Sequence, residues 1–497
     1  MRKKMYKAVL FGALITGCAT AQTSSAAVGV DSTDLRELIE STQIMATLHD
    51  LSIIGERLPG TIGERLPGTA GYKAAADYIE NTLLSYGYSV TRQPFTFQFW
   101  EELADPVLEK TAPTGVSYTP YETDGFATME YSGSGNIVEQ TVIKAEVFGC
   151  NPADFDSADF YGSIALIERG ECTFFQKAAN AEAAGAVAVI VYNDEARQEA
   201  FLGTLGGEGI TVPVVGAAYS AGLELQEGGT LASIYVDATV TSVETYNIIA
   251  ETQSGRDDRV VVVGAHLDGV AGTTAMNDNG SGSATILEIA KQMSALGVEP
   301  VNKVRFAFWS AEESGLIGST YYVDHLTERG IKDIALNLNF DMLASPNYVR
   351  FVYDGDGSAT ELAGPNGSAN IEAVFADYFD AQQIPFEETA FDGRSDYGPF
   401  IEAGIPAGGL FTGADEIKTV EQAEIYDGVA GEMLDANYHT PADNYDQLNE
   451  EVLDVMADAA AHTVLTFAMT KSSVNGTAKG SPVAKEKLMY KGPKAQR

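Results

Sequence analysis

The sequence predicts an α/β protein with a mostly parallel central sheet and a β-rich insertion ahead of most of that sheet. From Val260 onward, short apolar runs alternate with stretches of helical periodicity. This alternation is typical of a parallel sheet whose two faces are covered by helices. Between about residues 126 and 240, short β-like runs surround a single helical stretch, which indicates a separate module.

Length and composition fit this class. A chain of 497 residues has room for about two to four domains. Hydrophobic residues make up 45% and charged residues 20%, which excludes a fibrous or mainly disordered protein. Because 31 Lys and Arg oppose 70 Asp and Glu, the net charge is -39. Such a surface repels a phosphate backbone, so we expect no nucleic-acid partner.

The N-terminus has the layout of an export signal over residues 1–21. Basic residues come first, and an apolar stretch over residues 8–15 follows them. This stretch is too short to span a membrane, and small residues come after it. Residues 15–18 (ITGC) resemble a lipoprotein box that would place a lipid on Cys18, whereas ATA before Gln22 resembles an ordinary signal-peptidase site. A buried N-terminal helix is the remaining alternative. Both export routes place the protein outside the cytoplasm, either secreted or attached to a membrane only through a lipid.

The cysteines agree with an oxidising compartment. Since Cys18 is lipidated or removed on either export route, Cys150 and Cys172 remain. An even pair outside the cytoplasm predicts one disulfide, and two separate buried thiols are the alternative.

An eight-residue duplication lies near the start of the mature chain. Residues 54–61 (IGERLPGT) recur as residues 62–69. The second copy leads directly into a predicted helix, with Thr69 as its cap and Tyr72, Ile79 and Leu83 on one face. We therefore expect the first copy to be looped out.

The predicted elements of the sheet follow in order after the insertion. The strands are residues 260–265, 304–309 and 334–340, and the helices are residues 281–296, a segment starting near Gly315, and residues 450–469. Functional residues should then lie on loops beyond the strand ends. Residues 471–497 are basic and are predicted to form a disordered tail.

Within the β-rich segment, the passage GSIALIERGECTFFQKAANAEAAGAVAVIVYND resembles the protease-associated domain. This resemblance implies an inserted module over residues 126–240 that acts as a lid or substrate-access surface.

Five clusters of acidic, histidine and tyrosine residues stand in order along the second half of the chain. They are His266 and Asp268 in AHLDG, Asp278 in MNDNGSGS, Glu312 and Glu313 in WSAEESG, Asp341 in NFDM, and Tyr438 and His439 in NYHTPAD. Imidazoles and carboxylates without thiolates suit Zn²⁺. Two ions about 3.5–4 Å apart need a bridging group, which a carboxylate such as Asp278 can supply. Taken singly, each cluster has an ordinary alternative, such as a surface hydrogen bond or a solvated helix face.

With these motifs, residues 246–445 resemble the secreted bacterial leucyl-type aminopeptidases of the co-catalytic zinc exopeptidase family. The resemblance implies a three-layer α/β zinc-exopeptidase domain built from residues 31–125 and 241–470. It also implies two zinc ions that share Asp278. The remaining ligands would be His266 and Asp341 at one ion, and Glu313 and His439 at the other.

The same resemblance assigns roles to three further residues. Glu312 would be the general base, and Asp268 would accept the ring N–H of His266. Tyr438 would donate a hydrogen bond to the oxyanion, with a packed tyrosine as the alternative. A cis peptide bond after Asp278 is also expected.

Two segments, FDGRSDYGPF (residues 391–400) and AGGLFTGA (residues 407–414), resemble the part of this family that lines the pocket for the first side chain. Arg394 and Phe411 are the candidate wall residues, although an ordinary salt bridge and a core aromatic are equally good interpretations. The expected function is a zinc aminopeptidase that prefers large apolar first residues of peptides. A carboxypeptidase or dipeptidase of the same fold is the first alternative, and a non-catalytic receptor is the second.

Overall fold

A computed structural model describes residues 30–56, 64–155, 157–360 and 362–471. Within these ranges the strands are β1 (Ser89–Ala112), β2 (Val116–Tyr118), β3 (Phe126–Thr128), β4 (Gly135–Lys144), β5 (Ile164–Glu168), β6 (Ala188–Tyr192), β7 (Val214–Ala217), β8 (Leu231–Glu251), β9 (Arg256–His266), β10 (Asn302–Trp309), β11 (Ile334–Phe340), β12 (Phe351–Tyr353), β13 (Glu387–Thr389) and β14 (Ala407–Phe411).

The α-helices in the same ranges are α1 (Thr33–Arg36), α2 (Ser41–Glu56), α3 (Ala70–Ser85), α4 (Ser157–Phe160), α5 (Phe174–Ala183), α6 (Tyr219–Leu225), α7 (Gly282–Ala295), α8 (Ile317–Asp324), α9 (Glu328–Asp333), α10 (Ser368–Gln382), α11 (Tyr397–Glu402), α12 (Val420–Tyr426) and α13 (Glu450–Met469). Short 3₁₀-helices cover Pro152–Asp154 and Tyr445–Gln447, and a π-helical turn covers Met276–Ser281.

The strands form one continuous sheet. Its first part has the order β13-β12-β14-β11-β9-β10-β8. The central neighbours β10/β9, β9/β11 and β11/β14 are parallel, whereas β8 and β12 join by antiparallel pairing. The predicted α/β class with a mostly parallel sheet is confirmed, and β9, β10 and β11 cover the three strands predicted from apolar runs.

The central strands are buried on both faces, which explains their unbroken apolar sequence. In β9, Val261 and Val263 pack into a large core together with α2, α3, α7, α10 and α13. The alternate residues Val260 and Val262 pack into a second core with Tyr322 of α8 and side chains of α9 and α11. The sheet therefore lies between two helical layers, as the resemblance implied.

Helix α13 closes the first of these layers. Of the described residues, only this helix is long and apolar enough to cross a membrane by length and composition, and 72% of its most apolar window is buried inside the protein. Its apolar character is thus accounted for by packing against the sheet.

A long two-stranded ribbon connects this part of the sheet with the β-rich module. Strands β1 and β8 pair antiparallel from Ser89 and Glu251 at one end to Ala112 and Leu231 at the other. Beyond the ribbon, the sheet continues in the order β4-β5-β6-β7-β3, with β4 to β7 parallel to one another. This module has its own two apolar cores. Its predicted disulfide between Cys150 and Cys172 is present.

The second copy of the duplicated octapeptide leads into α3 as predicted. The Thr69 side chain accepts a hydrogen bond from the Tyr72 amide at 3.2 Å, which caps the helix. The first copy begins in the last turn of α2, and its remaining residues 57–61 lie outside the described residues. The predicted export signal with Cys18 and the tail after residue 471 also lie outside them.

Candidate active site

Three of the predicted metal-ligating residues lie at the carboxyl ends of the three central strands. His266 is the last residue of β9, Glu313 lies four residues beyond β10, and Asp341 directly follows β11. Because these strands are parallel neighbours, their carboxyl ends meet at one edge of the sheet, where α/β proteins place their ligands.

Asp278 lies at the centre of the cluster, between two histidines. Its Oδ1 is 3.1 Å from Nε2 of His266, and its Oδ2 is 3.1 Å from Nε2 of His439. It sits in the π-helical turn that precedes α7, where its backbone departs from helical geometry. The Asp278–Asn279 peptide bond is cis, as expected.

The other predicted ligands complete two groups around Asp278. Asp341 Oδ1 lies 3.4 Å from Nε2 of His266, on the first side. Glu313 Oε2 lies 2.9 Å from Nε2 of His439, on the second side. The structure therefore brings all five residues together, although they are spread over more than 170 positions of the chain.

The donor atoms of this cluster fit divalent metal ions. Within the described part of the chain, Nε2 of His266, Oε1 of Glu313 and Oδ1 of Asp341 are buried and form no hydrogen bond. A buried polar atom without a partner costs free energy, so native proteins rarely leave one unpaired. Three such atoms in one cluster of imidazoles and carboxylates are accounted for by coordination of ions such as Zn²⁺.

Burial and neighbouring charges shift the pKa values of the cluster strongly. Burial raises the pKa of Glu312 well above its usual value, with the attraction of His266 opposing this shift. Burial disfavours the charged form of His439, but Glu313 and Asp278 outweigh it and raise the pKa of His439 to about 10. Perturbed groups of this kind are typical of catalytic sites.

Asp268 contacts His266 differently from the expectation. Nδ1 of His266 lies 3.2 Å from the backbone oxygen of Asp268 and 3.8 Å from its carboxylate. The carboxylate instead accepts the backbone N–H groups of Glu312 at 3.3 Å and Glu313 at 3.4 Å. The prediction that the carboxylate accepts the ring N–H is therefore corrected: the carbonyl is closer to the ring. The carboxylate is hydrogen-bonded to the loop that carries Glu312 and Glu313.

A cleft of about 530 Å³ opens beside the cluster. Besides the carboxylates of the cluster, it is lined by Met342, Tyr353, Thr389, Ala390, Asp392, Arg394, Ser395, Phe411, Ala414, Glu416 and Tyr438. Both predicted wall residues, Arg394 and Phe411, are thus part of the lining. Arg394 pairs with Asp415 at 2.8 Å, and Phe411 stacks on Phe351.

Tyr438 reaches the same cleft. Its ring stacks on His439 with 3.8 Å between ring centroids, and its hydroxyl lies 3.4 Å from Nη2 of Arg394. Burial raises the pKa of Tyr438 well above its usual value, and the neighbouring charge of Asp278 adds to this shift. The phenol is therefore protonated at neutral pH and is able to donate a hydrogen bond.

Sequence reasoning missed several residues that hold the ligands in place. The hydroxyl of Ser395 donates to Oδ2 of Asp341. Asp443 accepts the backbone N–H groups of Asn277 at 2.7 Å and Asp278 at 3.1 Å. Both lie in segments already singled out, RSDYGPF and YHTPAD, but nothing in a single sequence shows which of their side chains turn toward a ligand.

Comparison with known proteins assigns the chain to a family. Residues 247–464 match the model of Peptidase family M28, and residues 134–225 match that of the PA domain. The chain is 43% identical over 412 residues to a probable leucine aminopeptidase 2 of Aspergillus fumigatus, covering 81% of this chain and 79% of that protein. The chain belongs to peptidase family M28. An aminopeptidase of Pseudomonas aeruginosa is 42% identical over 422 residues, covering 81% and 77% of the two chains.

Solved structures of two aminopeptidases resemble this chain. An aminopeptidase from Aneurinibacillus sp. strain AM-1 matches with a TM-score of 0.71 and 26% identity, covering 90% of this chain and 98% of that one. A zinc aminopeptidase from Bacillus subtilis matches with a TM-score of 0.60 and 27% identity, covering 88% and 97%. The resemblance stated from the motifs is confirmed, as is the presence of a protease-associated domain.

Proposed function

We infer that this family M28 member is a di-zinc aminopeptidase that hydrolyses the N-terminal peptide bond of peptides. The observation that carries this inference is the position of Asp278, whose two carboxylate oxygens face two different histidines. A carboxylate placed in this way suits a bridge between two ions. The family and the names of the similar proteins support zinc and an aminopeptidase activity.

The contacts support a specific division of the ligands. Asp278, His266 and Asp341 would hold one zinc ion, and Asp278, Glu313 and His439 would hold the other. Each group combines imidazole and carboxylate donors, which is the ligand set that zinc takes in catalytic sites. When bound, such a pair supplies Lewis acidity that polarises a carbonyl and makes water more acidic.

Glu312 is proposed to move the proton. Its Oε2 lies 3.9 Å from Nε2 of His266, beside the ligand groups, and its side chain lines the cleft. It accepts a proton from the attacking water and passes it to the nitrogen of the leaving amine. A buried carboxylate with a raised pKa is suited to both halves of this transfer.

Tyr438 is proposed to stabilise the negative charge that develops on the carbonyl oxygen. Its hydroxyl lies in the cleft, and the phenol is protonated, so it donates a hydrogen bond rather than repelling the oxyanion. The stacking of its ring on His439 and the contact with Arg394 fix the direction of the hydroxyl.

The charge of the cleft favours an N-terminal amine over a C-terminal carboxylate. Among the described residues, six carboxylates line the cleft, and the one cation in the lining, Arg394, is paired with Asp415. Two zinc ions would offset four of these six negative charges, so the cleft would keep a net negative charge that attracts a positively charged amine and repels a carboxylate. Phe411, Met342 and Tyr353 add apolar surface, which supports a preference for large apolar first residues.

Zinc analysis together with paired substrates tests this function. We expect two zinc ions per chain and hydrolysis of a leucyl anilide, with no hydrolysis of the same substrate after N-acetylation. Release of C-terminal residues from N-terminally blocked peptides would instead indicate the carboxypeptidase alternative. Cleavage of the acetylated anilide would contradict the requirement for a free N-terminal amine. Zinc binding without any peptidase activity would indicate the receptor alternative.

We also propose that the protein acts outside the cytoplasm and that residues 126–240 form the inserted module between two parts of the peptidase domain. The signal-like residues 1–21 and the Cys150–Cys172 disulfide support export. Mass analysis of the mature N-terminus separates a lipid on Cys18 from a free start at Gln22, and an intact residue 1 would contradict export. Limited proteolysis would contradict the domain boundaries if its first cuts fell inside residues 126–240.

A further inference from the structure

Arg65 is a buried cation that binds backbone rather than carboxylates. It lies in the second copy of the duplicated octapeptide and is 1% exposed. Its guanidinium donates to three carbonyl oxygens: Nε to Leu267 at 2.7 Å, Nη1 to Thr274 at 2.6 Å and Nη2 to Ala275 at 2.7 Å. Within the described part of the chain, no carboxylate forms an ion pair with it.

These three carbonyls belong to the two ends of one loop. The loop leaves the site after His266 and returns to it at Asp278. Leu267 directly follows His266, whereas Thr274 and Ala275 lie four and three residues before Asp278. The planar guanidinium donates to both ends of the loop at once, which the single ammonium group of a lysine cannot do. Ala275 adopts a positive φ of 52°, a conformation that non-glycine residues rarely take.

Other contacts hold the same loop from different sides. The neighbouring Glu64 accepts the backbone N–H of Gly272 at 3.1 Å, near the tip of the loop. Asp443 accepts the amides of Asn277 and Asp278 at its end. Among these contacts, only the guanidinium of Arg65 joins the beginning of the loop to its end.

Burying a guanidinium without an ion pair is costly. Burial lowers the pKa of Arg65 to about 10, while the more distant charges of Asp443, Asp268 and Asp278 favour its charged form. The residue is therefore still a cation at neutral pH, beside a site rich in carboxylates. An apolar side chain packed under the loop would leave the three carbonyl oxygens without a hydrogen-bond donor, so this place in the fold requires a group that donates to both ends of the loop.

We propose that Arg65 is a positioning residue that fixes the distance between His266 and Asp278 and thereby sets the affinity for the metal pair. It acts through the backbone of residues 267–275 and touches neither substrate nor the ligand side chains. The proposal rests on the proposed function, since it assumes that these two residues bind metal.

The duplication offers a matched control. Arg57 occupies the same place in an identical octapeptide, so Arg57→Gln changes the same residue in the same local sequence. The test compares Arg65→Gln, Arg57→Gln and the double variant. Zinc affinity is measured by competition with a chelator, and the absorption spectrum of the Co²⁺-substituted protein reports the ligand geometry. Circular dichroism and thermal unfolding monitor the fold.

We expect Arg57→Gln to match the wild type. Arg65→Gln should weaken zinc binding roughly 10–100-fold, the usual effect of removing a group that orients a ligand, and should alter the Co²⁺ spectrum. An effect in the double variant alone would also support the proposal, because it would show that the first copy can supply the arginine. Wild-type zinc affinity and an unchanged spectrum in the double variant would overturn it.

Arg65→Lys decides the matter if the glutamine variants do not fold. It retains the buried positive charge, but one ammonium group cannot reach both ends of the loop. We expect weaker zinc binding here as well, and wild-type affinity would overturn the proposal. Because affinity is measured without turnover, a wild-type protein that binds zinc but cleaves no peptide would refute the proposed function and leave this result standing.

Discussion

Glu312 and Glu313 are consecutive in the chain, yet their carboxylates face different histidines. Oε2 of Glu312 lies 3.9 Å from His266, and Oε2 of Glu313 lies 2.9 Å from His439. The turn that carries both residues begins at Ala311, which has a positive φ of 59°. The carboxylate of Asp268 accepts hydrogen bonds from the backbone N–H groups of both glutamates. Two chemically identical side chains are thereby given different surroundings.

Replacing each glutamate by glutamine separates their roles. Glu312→Gln removes a base but keeps shape, so both metals should remain while kcat falls roughly 10²–10⁴-fold with little change in KM. Glu313→Gln weakens a metal ligand, so one zinc ion should be lost and excess zinc should restore part of the activity. Zinc analysis and steady-state kinetics on the two variants check this. Loss of a metal from the first variant but not the second would mean that the two roles are reversed.

Asp268→Asn tests the carboxylate beneath this turn. An asparagine has one oxygen and one NH₂ group, so it cannot accept both amide N–H groups as the carboxylate does. We expect kcat/KM to fall roughly 10–100-fold, as is usual when a group that orients ligands is lost. Asp258→Asn is the control, because Asp258 pairs with Arg256 at the surface. Equal effects of the two substitutions would contradict the role of Asp268.

The resemblance of the motifs singled out the five residues that the structure brings together around Asp278, and each of them follows a strand or lies in a turn-rich stretch. The apolar runs over residues 260–265 and 334–340 identified β9 and β11, and parallel strands bring their carboxyl ends together. The boundaries of α7 differ by one residue at each end from the predicted residues 281–296, since capping depends on tertiary contacts.

The residues that support the ligands could not be predicted in the same way. Asp268 binds amides 44 and 45 positions away, and Arg65 binds carbonyls more than 200 positions away. Hydrophobic periodicity carries no information on such polar contacts. The motif IGERLPGT drew attention only through its repetition, whereas the structure shows that its second copy reaches the active-site loop.

Phe411→Ala tests the apolar wall of the cleft. Removing the ring should raise KM for a leucyl substrate more than for an alanyl substrate, because a large first side chain loses more apolar contact. One or two lost contacts of this kind change discrimination by about 10–200-fold. Kinetics on a series of aminoacyl anilides measure this change. Ile425→Ala, at an exposed position of α12, should leave the preference unchanged. An equal change in KM for all first residues would show that Phe411 does not contact the first side chain.

Cys150→Ser combined with Cys172→Ser tests the disulfide. The bond closes a loop with a sequence separation of 22 residues, which corresponds to roughly 3 kcal/mol of stabilisation on the chain-entropy model. Because the insertion has its own cores, the thermal midpoint should fall while the zinc content remains unchanged. Calorimetry and zinc analysis on the purified double variant check both expectations. A marked loss of zinc would show that the insertion and the metal site are coupled.

Deleting residues 54–61 tests the duplication. The remaining copy keeps Arg65 and Thr69, and its upstream neighbours become those that now precede the first copy. Since the contacts with Leu267, Thr274 and Ala275 and the cap of α3 come from the second copy, the shortened chain should fold, bind two zinc ions and retain its kcat/KM. Deletion of residues 62–69 gives the same amino-acid sequence, so the two deletions are one and the same variant. Expression yield, zinc content and activity are the measurements. An insoluble or zinc-deficient product would show that the first copy packs against the protein in its own right and that both copies are needed.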